Sequence, residues 1–164
     1  YGTTDFELLD MDGDGDDDLI CSSGDSGDFG IIPKPFHGVR LFENRKGTYK
    51  QAWFFPQQGA YGTASVDYDQ DGDIDLAACT MTWNYDQRRN TIVWYEQTKP
   101  GQFVPHPLDY SRGQHPVITA GDFDGDGKPD LAVGNFEARE TDQVDQGEWF
   151  SIWWNKGSRS AQSE

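Results

Sequence analysis

Sulfur and imidazole are scarce in this sequence. Two cysteines (Cys21, Cys79) and three histidines (His37, His106, His115) are spread over 164 residues. No Cys/His spacing suits zinc, and no Cys-x-x-Cys-His suits an attached haem. Basic residues are also few: 13 stand against 29 acidic ones, for a formal net charge of -16. That balance argues against nucleic acid, which needs a basic surface. No run of 18 apolar residues occurs, so no helical membrane span is expected. The signatures of catalysis are missing as well: there is no nucleophile elbow, phosphate loop or dinucleotide fingerprint. In so acidic a chain, paired carboxylates carry little weight. Glu137, Glu140 and Asp142, for example, read as part of a solvated loop. The expectation is a chain without an active site of its own.

What is plentiful is aspartate, in a fixed pattern. The runs Asp10 to Ile20, Asp67 to Ala77 and Asp122 to Ala132 all read D-x-D-x-D-G-x-x-D-[LI], and their starts lie 57 and 55 residues apart. The chain is therefore about three copies of one unit. Fifteen acidic residues fall inside the runs (six, five and four). The acidity is thus a property of the loops rather than of a disordered acidic tail.

Carboxylates crowded into a tight loop repel one another unless a hard cation lies between them. Calcium, with six to eight oxygen ligands and flexible geometry, suits such a loop better than magnesium. Three Ca2+ sites are expected. The side-chain ligands would be Asp10, Asp12, Asp14 and Asp18 in the first loop and Asp67, Asp69, Asp71 and Asp75 in the second. In the third they would be Asp122, Asp124, Asp126 and Asp130. Position 7 (Asp16, Asp73, Lys128) would give its main-chain carbonyl, consistent with a lysine in that place. Gly15, Gly72 and Gly127 would allow the sharp turn. Three such ions would bring the net charge to about -10. An EF-hand is excluded, because position 12 is Cys21, Ala78 or Val133 rather than a bidentate Glu.

Aromatics make up 14% of the chain, and 19 Gly and 8 Pro punctuate short apolar segments, an all-β pattern. Each unit offers four strand-like segments. The first precedes the loop (Thr4 to Leu9, Thr63 to Val66, Val117 to Gly121), and the second follows it. The third is aromatic and ends in an amide (Val39 to Asn44, Ile92 to Gln97, Ser151 to Asn155). The fourth is Tyr49 to Phe55 and Phe103 to Leu108, and the third unit lacks it. The units are residues 1–58, 59–112 and 113–157, with 158–164 as a flexible tail. Four antiparallel strands per unit of this length read as a β-propeller blade. Cys21 and Cys79 fall one residue out of step and hence on opposite faces, so buried free thiols are expected rather than a cross-blade disulfide.

The three loops, and DFDGDGKPDLAVGN (Asp122 to Asn135) most of all, resemble the FG-GAP/VCBS repeats of integrin-like propellers and many secreted bacterial proteins. KPFHGVRLFEN (Lys34 to Asn44) is similar to a segment of extracytoplasmic bacterial members, some joined to c-type cytochrome domains. The resemblance implies a calcium-bearing propeller and an extracytoplasmic (periplasmic or secreted) location, but does not imply one function. Three blades cannot close a ring. Three resolutions stay open: a piece of a longer propeller (favoured, as the sequence starts at Tyr1 in mid-blade), self-association, or packing against other subunits. In each, both outer faces would be apolar.

Long connections between second and third strands carry Phe29, Phe36, Trp83, Tyr85 and Trp149, a candidate binding rim for a glycan or protein. For any one of them, folding back over its own blade is the plainer reading. Trp94, Trp153 and Trp154 are expected to pack between blades. The leading expectation is a non-catalytic calcium-binding module for protein binding or assembly, with docking on a membrane-bound complex as one form of it. The alternatives are a lectin-like carbohydrate-binding domain, or part of a polysaccharide-active enzyme whose catalytic residues lie in missing blades.

Overall fold

The structure is a computed structural model, and it describes residues 2–25, 34–82, 86–136 and 148–157. Those residues contain eleven strands and no helix. Sheet one is β1 (Thr3–Leu9), β2 (Asp18–Ser23), β3 (Gly38–Arg45) and β4 (Thr48–Pro56), hydrogen-bonded in that order. Sheet two is β5 (Ala60–Val66), β6 (Asp75–Thr80), β7 (Arg89–Lys99) and β8 (Gln102–Ser111). Sheet three has β9 (Ile118–Gly121), β10 (Asp130–Gly134) and β11 (Phe150–Trp153), with β10 in the middle. All pairings are antiparallel, so each sheet is a meander. The sheets coincide with the three repeats, and we call them blades 1 to 3.

The blades stack in chain order, and two cores lie between them. Met11, Ile20, Val39, Leu41 and Phe55 of blade 1 pack against Leu76, Ala78, Val93 and Tyr95 of blade 2. The other face of blade 2 (Ala64, Ala77, Cys79, Ile92) packs against Ile118, Leu131 and Val133 of blade 3. The two sets alternate along β6, as the pleat requires. Every residue of β6 is buried, which is why its centre, LAAC, is apolar on both faces.

Polar seams fix how the inner strands approach. On β1, Asp5 and Glu7 alternate with Phe6 and Leu8 and point towards blade 2. The Asp5 carboxylate accepts the Thr63 N–H at 3.0 Å, and Glu7 accepts the Ser65 N–H at 3.0 Å. These carboxylates cap the otherwise unpaired edge of β5. At Gly24, just past β2, a Cβ would lie 2.3 Å from the Ala60 carbonyl oxygen, so only glycine fits that crossing.

The outer faces are apolar, as the sequence suggests. Phe6 and Leu8 are more than 60% exposed on blade 1, and Phe150, Val117 and Trp154 are exposed on blade 3. Trp154 is less covered than expected: one residue past β11, it borders the space between blades 2 and 3 beside Trp153 but is 47% exposed, with Lys156 Nζ 5.4 Å from its ring. Both cysteines are free and buried, Cys79 in the second core and Cys21 on the far face of blade 1. The Cys79 thiol donates to the His115 carbonyl, and burial pushes it up to about 12.

Candidate functional site

The three aspartate loops join the first and second strands of their blades, and they share one hydrogen-bond plan. The N–H of position 5 donates to the position-3 carboxylate, as Asp14 to Asp12 at 3.1 Å, Asp71 to Asp69 at 3.2 Å and Asp126 to Asp124 at 3.2 Å. The glycine at position 6 donates to position 1: Gly15 to Asp10, Gly72 to Asp67 and Gly127 to Asp122, each at 3.0 Å. Position 7 donates to position 5 at 2.9 Å in all three. Aspartates are well suited to such turns, because their side chains reach backbone two residues on.

Position 9 does a different job. Asp18, Asp75 and Asp130 are each at most 1% exposed. One oxygen accepts the N–H of position 2 (Met11, Tyr68, Phe123) at 3.1 Å in each loop. The other accepts the N–H of the amide residue that ends the third strand: Asn44 at 2.8 Å, Gln97 at 2.7 Å and Asn155 at 2.8 Å. The amide side chain then closes the ring. It donates to the position-8 carbonyl (Asp17, Ile74 or Pro129) and accepts from a turn glycine (Gly47, Gly101 or Gly157). Thus one buried aspartate ties the loop to the third strand. The amide was visible in the sequence as a recurrent strand ending, but its clamping role was not.

Glycine at position 6 has φ of 93°, 101° and 86° in the three loops, in the left-handed region. Position 4 is left-handed too, at Gly13 (77°), Gln70 (64°) and Gly125 (77°), which the sequence did not announce because Gln70 breaks the glycine pattern. Gln70 Nε2 donates to the Gly127 carbonyl at 2.7 Å, linking loop 2 to loop 3.

Carboxylate oxygens converge in every loop. Asp10, Asp12 and Asp18 bring ligand atoms within 4.8 Å of one another, as do Asp67, Asp69 and Asp71, and Asp122, Asp124 and Asp130. Each group could hold a metal ion. These groups are narrower than the four carboxylates per loop expected from sequence: Asp14, Asp75 and Asp126 stand outside them. The side chains at position 7 diverge. Asp16 accepts the Lys46 N–H at 3.2 Å, whereas Lys128 Nζ lies 2.7 Å from the Asp126 carboxylate.

Electrostatics fit a cation. Asp10 Oδ1 is buried and has no hydrogen-bond partner, although its twin oxygen is satisfied. Partial desolvation of these largely exposed groups, then the neighbouring Asp14 and Asp18, push Asp12 above the usual carboxylate range, and Asp69 is raised in the same way by partial desolvation and Asp71. Burial raises Asp75 to about 6. In loop 3 the sign reverses: the hydrogen-bonded Lys128 holds Asp126 down. Lys156 Nζ adds a second positive charge, 3.6 Å from Asp124.

Of the expected rim aromatics, Phe29, Trp83 and Tyr85 lie outside the described residues. Phe36 is half-buried, edge-on to His37 with centroids 5.5 Å apart, and its carbonyl accepts Arg40 Nη2. It folds back. Trp149 is 88% exposed. His106 lies within β8, stacked on Trp94 and 2.6 Å from Glu96.

An all-β stack of meander blades with an acidic loop at each first hairpin defines a repeat protein of the propeller-like class, a class that generally mediates protein interactions. The family model for the FG-GAP-like repeat matches residues 10–78 and 67–133, and the chain belongs to that family. No curated protein matches the chain.

Proposed function

We propose that this protein is a non-catalytic, calcium-stabilised docking module that works outside the cytoplasm. The observation that carries the cation is the threefold loop geometry, with carboxylates gathered in each copy and the Asp10 oxygen buried without a donor. Asp10, Asp12 and Asp18, Asp67, Asp69 and Asp71, and Asp122, Asp124 and Asp130 would hold the ions. Asp14, Asp75 and Asp126 and the carbonyls of Asp16, Asp73 and Lys128 are the further oxygens of the set. The bound cation supplies charge compensation: it removes the repulsion among carboxylates that the fold has gathered. Calcium is preferred because all the donors are oxygens on a loop of flexible outline. Extracellular levels of calcium suit modest sites of this kind. A docking role is supported by the repeat class and by apolar faces left open at both ends of the stack.

The test is thermal unfolding of chelated protein titrated with CaCl2 and, separately, MgCl2. The melting temperature is expected to climb with calcium and to keep climbing logarithmically above the dissociation constant, since ions bound only by the folded state stabilise it by mass action. Indifference to calcium would end the cation reading.

A further inference from the structure

Among the described residues, one aspartate loop alone carries a side chain that bonds to a neighbouring loop. Position 4 is glycine in loops 1 and 3 and glutamine in loop 2. All three residues are left-handed, with φ of 77° at Gly13, 77° at Gly125 and 64° at Gln70. Glycine takes that conformation freely, whereas Gln70 takes it against its intrinsic preference. Its amide then crosses to blade 3, where Nε2 donates to the Gly127 carbonyl at 2.7 Å. Gly13 has no side chain with which to reach loop 2. The clamp amides do not make this difference, because Gln97 and Asn155 each touch position 2 of the preceding loop.

Both ends of the bond sit among the gathered carboxylates. In loop 2 these are Asp67, Asp69 and Asp71, so Gln70 is flanked by one of them on each side. In loops 1 and 3 the third carboxylate comes from position 9 (Asp18, Asp130), and position 4 has such a neighbour on one side only. At the acceptor end, the Gly127 N–H donates to Asp122 at 3.0 Å and the Lys128 N–H to Asp126 at 2.9 Å. The peptide joining Gly127 to Lys128 is therefore held through its oxygen by Gln70 and through its N–H by Asp126. It directly precedes the Lys128 carbonyl.

We propose that Gln70 is a positioning residue that couples the cation sites of loops 2 and 3, so that an ion in either strengthens binding in the other. An ion held by Asp69 and Asp71 fixes the Gln70 backbone between them, and the fixed amide holds the Gly127–Lys128 peptide in place. Part of the ordering that loop 3 requires is then complete before its own ion arrives. Linkage makes the effect reciprocal. Loop 1 has no such bond and binds independently. The inference rests on the cation reading and adds how two of its sites communicate.

The test is a calcium titration of the whole chain followed by NMR, with the Gly15, Gly72 and Gly127 amides each reporting its own loop. Salt near physiological strength limits direct repulsion between the ions. Asp69→Asn, which removes a loop 2 carboxylate, is expected to weaken calcium at loop 3 about two- to fivefold. In a Gln70→Gly background the same substitution is expected to leave loop 3 unchanged, since glycine keeps the left-handed turn and removes only the amide. Asp12→Asn in loop 1 is expected to leave the Gly72 midpoint where it was. Equal weakening of loop 3 in the two backgrounds would overturn the proposal, because the loops would then sense each other through space alone. No weakening in either background, or tighter binding at loop 3, would overturn it too, and the cation reading would stand in each of these cases. If none of the three amides responds to calcium, the cation reading falls and the coupling falls with it.

Discussion

The first and second junctions between blades are built from the same repeat, yet among the described residues only one is filled to its outer margin. In the first, Phe55 lies 4.6 Å from Tyr95 and 5.1 Å from Phe103, and Trp53 meets Phe103 at 5.5 Å, so four rings from three strands interlock. In the second, Trp94 stacks on His106 within its own blade, and Leu108 remains 37% exposed. Near the loops the two junctions are alike. Gln97 reaches Met11 in one, and Asn155 reaches the Tyr68 carbonyl in the other, both meeting position 2 of the preceding loop. The fourth strand therefore makes the difference. Loop and inner strands repeat because buried carboxylates and backbone donors must be matched atom for atom. Outer strands need only be apolar where covered, and they vary accordingly.

Truncation at corresponding places would sharpen this contrast most. Phe55→Ala removes a ring that is 7% exposed from the centre of the aromatic set, and it is expected to cost about 3–5 kcal/mol. Leu108→Ala, on the open side, is expected to cost less than about 1 kcal/mol, because little contact is lost. Urea unfolding of both variants at fixed calcium measures the difference. Equal losses would mean that the second junction is as well packed as the first, and the contrast would fail.

A smaller effect separates the clamp from the ligands. Asp75→Asn leaves one amide oxygen where two carboxylate oxygens now receive the Tyr68 and Gln97 N–H groups. It is expected to cost about 1–3 kcal/mol even in chelator, the penalty for a buried donor left unpaired. Asp69→Asn, on an exposed residue, is expected to leave the chelated protein as stable or slightly more so, since it relieves repulsion from Asp71 and Asp67, and to reduce the rise in stability on adding calcium. Urea midpoints with and without calcium give both quantities. A neutral Asp75→Asn in chelator would show that position 9 serves the ion alone.

Much of this was legible in the sequence because charge and spacing are local. The aspartate period gave the number of blades, and the alternation around DLICSS, DLAACT and DLAVG gave strands within a residue or two of β2, β6 and β10. The clamp from Asp75 to Gln97 was not legible, since it joins residues 22 apart through a sheet pairing. Nor was the left-handed turn at Gln70, because position 4 carries glycine in only two of three copies. Trp154 is more exposed than expected because it lies one residue beyond the end of β11.

The smallest expected effect lies in loop 3, where the lysine at position 7 sets this junction's loop apart from the other two. On sequence alone Lys128 is a neutral bystander that offers its carbonyl. In the structure its ammonium group is 2.7 Å from Asp126, and Lys156 approaches Asp124, so two carboxylates of this loop already have cationic neighbours. A metal ion arriving there meets partly compensated oxygens and two like charges. Lys128→Ala removes one of these and is expected to tighten calcium at loop 3 about two- to fivefold, an effect kept small by solvent screening of exposed charges. Asp126→Ala is expected to weaken it. Calorimetric titration of variants in which loops 1 and 2 are silenced by Asp12→Asn and Asp69→Asn reads the third site by itself. If Lys128→Ala weakens binding instead, the lysine would be supporting the loop's shape, and the reading of loop 3 as weakened by its own cations would have to be abandoned.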